Sequence, residues 1–118
     1  MDERMRRVYE YIRRRGEVRV AELEERFGPG MREVVARLWA EGRVRVVGDR
    51  RGPLPGVLRV SRQLVRKYGA RRIPAEAVEK RYGPRVPVRY VRWWDRSSGK
   101  PYYMLLLRGD DIVQVRRK

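Results

Sequence analysis

Hydrophobic positions change period several times along this chain. Near the start, Met5, Val8, Tyr9 and Ile12 stand at i, i+3, i+4 and i+7 among charged residues, the spacing that lines one side of an α-helix. Asp2 precedes the run as an N-cap and Gly16 follows it as a stop. EVRV then alternates like a short strand, and AELEERFG restores the helical period, with Leu23 and Phe27 one turn apart. GPG breaks it. From Met31 the run MREVVARLWAEG puts Met31, Val35 and Leu38 on one stripe flanked by Trp39, and closes at Gly42. Arg32, Glu33, Ala36 and Arg37 are left on the opposite side.

Two alternating segments, Arg43 to Val47 and Val57 to Val60, enclose the tip GDRRGPLPG. They predict a two-stranded hairpin with Arg50 and Arg51 at its end. Ser61 suits the N-cap of SRQLVRKYG, where Leu64, Val65 and Tyr68 form a stripe closed by Gly69. Pro74 suits the first turn of IPAEAVEKRYG, in which Val78 and Tyr82 stand one turn apart. After GPRVP the period falls to two: VRYVRWW, the turn DRSSGK, PYYMLLL, then RGDD and IVQVRR predict a three-stranded antiparallel meander.

With 118 residues the chain makes one domain or two small ones, the second leaning on the first. Its 31 Lys+Arg against 15 Asp+Glu leave a formal charge of +16, which favours a polyanionic partner: nucleic acid or an anionic membrane surface. Arginine outnumbers lysine 27 to 4, suiting bidentate phosphate and guanine contacts, although GC-rich coding or life at high temperature produces the same bias. Cysteine, histidine, threonine and asparagine are absent, which excludes disulfides, Cys/His zinc sites and histidine-based acid–base or triad chemistry. No glycine-rich nucleotide loop occurs. PYYMLLL is far too short to span a bilayer, and MDERMRR leads into no signal-peptide core. The expectation is a soluble, cytoplasmic protein without cofactor, metal or catalysis, nucleoid-associated if it binds DNA.

The order helix, short strand, short helix, tight turn, helix and hairpin, carried by VRVAELEERFG and MREVVARLWAEGRVRVV, resembles the winged-helix DNA-binding domains over residues 8–60. The resemblance implies that Met31 to Glu41 is a recognition helix, with Arg32, Glu33, Ala36 and Arg37 toward the major groove. It further implies that the basic strand residues Arg43 and Arg45 belong to a wing whose tip, Arg50 and Arg51, reaches the minor groove or its phosphates. The family usually opens this helix with a Ser/Thr-rich turn. GPG supplies no hydroxyl, so phosphate contact there falls to backbone N–H groups, and sequence specificity is expected to be weak.

Residues 1–60 hold 15 basic and 10 acidic groups, net +5, whereas residues 61–118 hold 16 and 5, net +11. In the strand VRYVRWW, Arg89 and Arg92 interleave with aromatics, a pattern able to offer stacking and phosphate contacts to single strands or RNA. The competing demand is the core, which needs Trp93, Trp94, Tyr102 and Tyr103 with one or two left exposed. WDRSSGKPYY also slightly resembles the hairpins of small archaeal barrel chromatin proteins. Asp95 and the GDD at 109–111 do not converge as a nuclease site requires, and Gly-Asp-Asp between strands reads as a turn.

The expected architecture is α+β: a winged helix over residues 1–60, then a basic extension of two short helices and a β-meander over 61–118 packed on it. The expected function is non-catalytic nucleic-acid binding, with duplex DNA first, in transcriptional control or chromatin-like packaging. RNA binding or ribosome association is the first alternative, and a protein-interaction subunit of a replication or transcription complex the second. Homodimerisation is open. The candidate contacts are Arg32, Arg37, Arg43, Arg45, Arg50, Arg51, Arg89 and Arg92.

Overall fold

The structure, a computed structural model, describes residues 1–48, 58–87 and 89–115, with residues 58–60 as backbone only. Among them the chain is mixed α+β, with five helices and two three-stranded antiparallel sheets. The elements are α1 (Glu3–Arg15), β1 (Glu17–Arg19), α2 (Val20–Phe27), α3 (Met31–Ala40), β2 (Val44–Val47), α4 (Leu58–Tyr68), β3 (Ile73–Pro74), α5 (Ala75–Tyr82), β4 (Tyr90–Asp95), β5 (Lys100–Leu105) and β6 (Ile112–Val115).

Local chemistry accounts for the ends of α1. Asp2 Oδ1 accepts from the Met5 N–H at 2.8 Å. Gly16 turns at φ 84° and donates its N–H to the Ile12 carbonyl, a backbone state that only glycine takes without strain. Met5, Val8 and Ile12 are buried as their spacing predicts. Tyr11 joins them while Tyr9 stays half-buried, because Tyr11 packs edge-on against Phe27 and hydrogen-bonds Glu22.

The expected hairpin does not form as drawn. Residues 58–60 open α4 instead of pairing with β2, and the rest of the tip, including Arg50 and Arg51, lies outside the described residues. The strand beside β2 is β6, which also pairs with β1, giving the order β1-β6-β2. Val18, Val113 and Val46 stand opposite one another across this sheet, and all three are buried. VLRV and IVQV carry the same local alternation. A helical stripe continuing through Ser61, Leu64 and Val65 draws residues 58–60 of the first into α4, and the central sheet position goes to the second. Residues 112–115, past the expected division at residue 60, thus pair with both strands of the first half.

The meander is corrected for the same reason. β4 and β5 form the expected hairpin, from Tyr90↔Leu105 to Asp95↔Lys100, but the other neighbour of β5 is the two-residue β3. The loop leading to β6 also completes α2, which has no capping side chain: the carbonyls of Asp111 and Gly109 accept the N–H groups of Val20 and Ala21 at 3.0 and 2.8 Å.

α3 lies at the centre. Seven of its ten residues are buried, Ala36 and Trp39 among them, the mark of a helix covered on nearly all sides. α4 packs along it, and the Ala70 N–H that follows α4 donates to both Glu33 carboxylate oxygens at 3.0 and 3.1 Å.

Candidate nucleic-acid interface

The covering of α3 changes what its arginines can do. Arg32 donates to the Leu107 carbonyl at 2.8 Å and pairs with Glu24 at 3.3 Å. Glu33 is held by Ala70, and Ala36 is fully buried. Of the four residues expected to face a DNA groove, Arg32 and Arg37 remain exposed, Arg32 engaged by Glu24 and the Leu107 carbonyl and Arg37 3.5 Å from Glu33. Arg43 follows α3 beside Glu41 at 3.4 Å. Arg45 is exposed on the outer face of β2, with no acid in ion-pair reach among the described residues. Arg37 on α3, Arg43 between α3 and β2, and Arg45 on β2 are therefore all exposed.

Arg89 and Arg92 part company. Arg92 is exposed on β4, 3.6 Å from Glu79. Arg89 is buried and forms a two-pronged ion pair with the equally buried Asp111 at 2.9 and 3.0 Å, and it also donates to the Leu106 carbonyl at 3.1 Å. Asp111 accepts the Arg108 N–H at 2.8 Å as well. Arg89 is thereby removed from any surface contact: with three acceptor contacts inside the fold it ties the start of β4 to the approach of β6. The GDD turn is a turn, and its last aspartate is the buried partner.

Two further surfaces carry exposed cations, the first of which sequence reasoning did not single out. Between α4 and α5 runs a groove of about 370 Å³ lined by Gln63, Leu64, Lys67, Tyr68, Ala77, Lys80 and Arg81, with no acid among them. Both helices end in basic residues, Arg66 and Lys67 on α4, Lys80 and Arg81 on α5. The net +11 of the second half was the available signal, but only packing aligns the two helix ends. Lys80 also lines a neighbouring cleft with Lys100, Tyr102, Glu76 and Glu79.

That cleft leads to the second surface. Directly opposed residues of an antiparallel pair share a face, so Tyr90, Tyr103 and Leu105 form the buried face of the β3-β5-β4 sheet. Val91, Trp93, Tyr102 and Met104 form the other face, where none is fully buried. Trp93 and Tyr102 are cross-strand partners with ring centroids 6.0 Å apart, and the Arg72 guanidinium lies over both at 5.2 and 5.9 Å. Trp94, near the hairpin end, is 57% exposed. The expectation that the four aromatics chiefly fill the core holds for Tyr103 alone; the core rings are Tyr90 and Tyr103, with Tyr82 against Tyr90.

Three titrating groups are displaced around this sheet, Asp95, Tyr90 and Tyr103, the last raised by burial and by its hydrogen bond to Glu79. The hydroxyl and amide of Ser97, then Arg72 at 3.0 Å, hold the Asp95 carboxyl down at about 2. Asp95 stays an anion neutralised by Arg72. Burial pushes the Tyr90 phenol well above its ordinary value, against the opposing pull of its hydrogen bond to Ser61 at 2.9 Å. Among the described residues no helix is long and apolar enough to cross a membrane. Comparison with protein-family models, curated proteins and solved structures gives no match.

Proposed function

We propose that this chain is a non-catalytic nucleic-acid-binding protein whose first half follows the winged-helix plan and whose phosphate contacts lie in its second half. The order α1, β1, α2, α3, β2, with β1 and β2 in one sheet, supports the plan; it departs from the plan in taking β6 where the returning strand of a wing would pair. The observation that carries the function is the acid-free groove between α4 and α5, where Lys67, Lys80 and Arg81 converge beside an exposed Tyr68. Elsewhere acids pair with arginines, burying Arg89 against Asp111, whereas these cations face solvent with no carboxylate in their groove. Such a surface attracts a sugar-phosphate backbone irrespective of sequence, and the occupied face of α3 agrees with that mode. Chromatin-like packaging and ribosome association both require only backbone contact of this kind.

A second reading keeps duplex DNA on α3 and β2. Arg37, Arg43 and Arg45 are each exposed there, Arg45 without an acid partner among the described residues.

The test titrates labelled duplex DNA, single-stranded DNA and single-stranded RNA between 50 and 200 mM salt, conditions over which phosphate contacts declare themselves. Affinity is expected to fall by a log–log slope of about 0.7–0.9 for each phosphate contacted. Replacing Lys67, Lys80 and Arg81 by Gln should lower both affinity and slope. If Arg37, Arg43 and Arg45 to Ala has that effect on duplex DNA and the groove variant does not, the second reading replaces the first. Absence of binding to all three at low salt overturns both.

A further inference from the structure

The open face of the β3-β5-β4 sheet is built differently from a solvated sheet. Its centre is a cross-strand tryptophan–tyrosine pair, flanked by Val91 and Met104. Flat cationic and apolar groups meet there: Arg72 already lies over both rings, tethered to Asp95 at 3.0 Å, and Lys100 is exposed at the near end of β5. Aromatic faces bordered by cations suit unpaired nucleobases, because every base offers a π-face and carries a phosphate beside it. A duplex hides those faces in its stack. The neighbouring cleft adds a discriminator. Glu76, exposed and without a partner among the described residues, stands there with Lys80, Lys100 and Tyr102. A carboxylate is repelled by the phosphates of either strand, but against RNA it can also accept from a 2′-hydroxyl, a donor that DNA lacks.

We infer that this sheet face is a stacking site for single-stranded RNA: Trp93 and Tyr102 receive bases, Arg72 swings from the rings onto phosphate, and Glu76 accepts from a ribose hydroxyl. The strand continues past Lys80, which borders both clefts, into the α4–α5 groove. This assignment rests on the nucleic-acid reading above, and its test separates the two.

The experiment titrates the full chain with decamers of uridine or adenosine RNA, the matching DNA decamers and a duplex, following tryptophan emission and anisotropy of a terminal label. RNA decamers should quench tryptophan emission and bind more tightly than their DNA counterparts. Trp93→Leu with Tyr102→Leu keeps apolar cover but removes the π-faces. It should weaken RNA decamer binding about 10- to 100-fold, the range of one to two lost stacking contacts, while leaving duplex binding unchanged. Glu76→Ala should narrow the preference for RNA over DNA. A folded double-leucine variant that binds RNA like wild type overturns the stacking site and leaves the groove intact. Equal affinity for RNA and DNA overturns the ribose contact and the RNA assignment. No binding of any oligonucleotide at low salt overturns the function itself. To keep a test that does not depend on the leucine variant folding, wild type is also photocrosslinked to 5-bromouridine decamers. Adducts on Trp93 or Tyr102 support the site, and adducts confined to α1–α3 overturn it.

Discussion

The pair formed by Arg89 and Asp111 offers the sharpest test of how the two ends of the fold are held. Both residues are buried, their charges meet through two contacts of 2.9 and 3.0 Å, and Asp111 has one further partner, the Arg108 N–H. Asp111→Asn preserves the shape and one acceptor oxygen for Arg108, so the change isolates charge. It leaves a guanidinium with 9% side-chain exposure and no counter-ion, its remaining acceptors being neutral, the side-chain amide oxygen at position 111 and the Leu106 carbonyl. Breaking a buried pair in this way costs about 3–5 kcal/mol. In a chain of this size that corresponds to a fall of roughly 10–20 °C in Tm. Removing both charges with Arg89→Met and Asp111→Leu should recover most of the loss, because the desolvation penalty disappears with them. Urea denaturation of wild type, both single variants and the double variant closes the cycle. If Asp111→Asn lies within about 1 kcal/mol of wild type, or if the double variant loses as much as the singles combined, the pair is hydrated in solution and the reasoning fails.

Other outcomes follow from particular contacts. Tyr90 has its pKa raised in the folded state from an ordinary value of 10.0, so its stabilisation is complete below pH 10 and is lost as pH climbs toward the folded value; Tyr90→Phe should flatten the alkaline arm of a Tm–pH profile, and an unchanged arm would refute this. Gly69 sits at φ +80°, and an added Cβ would stand 2.5 Å from Glu33 Oε1; Gly69→Ala should lower stability by about 1–2 kcal/mol in urea, and a neutral effect would contradict the packing of Glu33 on Ala70. A chain ended after Gly109 should show no cooperative thermal transition by circular dichroism, since it lacks the central strand of the β1-β6-β2 sheet; a stable truncated domain would show that β6 is dispensable.

Much of the fold was legible because its signals are local. The Asp2 cap, the Gly16 stop, the stripe of α1 and the DRSSGK turn need only neighbours a few residues away. What was not legible depends on distant choice. Val57–Val60 and Ile112–Val115 present β2 with the same alternation, and nothing near either says that the second wins. The faces of α3 were misjudged similarly: Arg32 and Glu33 look solvated in a helical projection, yet their partners are Leu107 and Ala70. Arg89 reads as a surface cation until Asp111 is brought beside it. Among the candidate contacts within the described residues, Arg32, Arg37, Arg43, Arg45 and Arg92 keep exposure, and Arg89 alone is buried.

The position of β6 has a consequence in time. Glu17 and Gln114 are 97 residues apart in the chain yet bonded across strands, and β1 and β2 have no direct pairing without β6 between them. At cellular rates of about 5–20 residues per second, a nascent chain carries both strands for several seconds before residues 112–115 exist. Through that interval two apolar strand edges stand open beside an uncovered α3. Such edges invite pairing with other chains, and contacts this distant in sequence slow folding even after synthesis. Arginine on the exposed positions of both strands, Arg19 and Arg45, supplies the like-charge repulsion that keeps neighbouring nascent chains apart until the sheet closes.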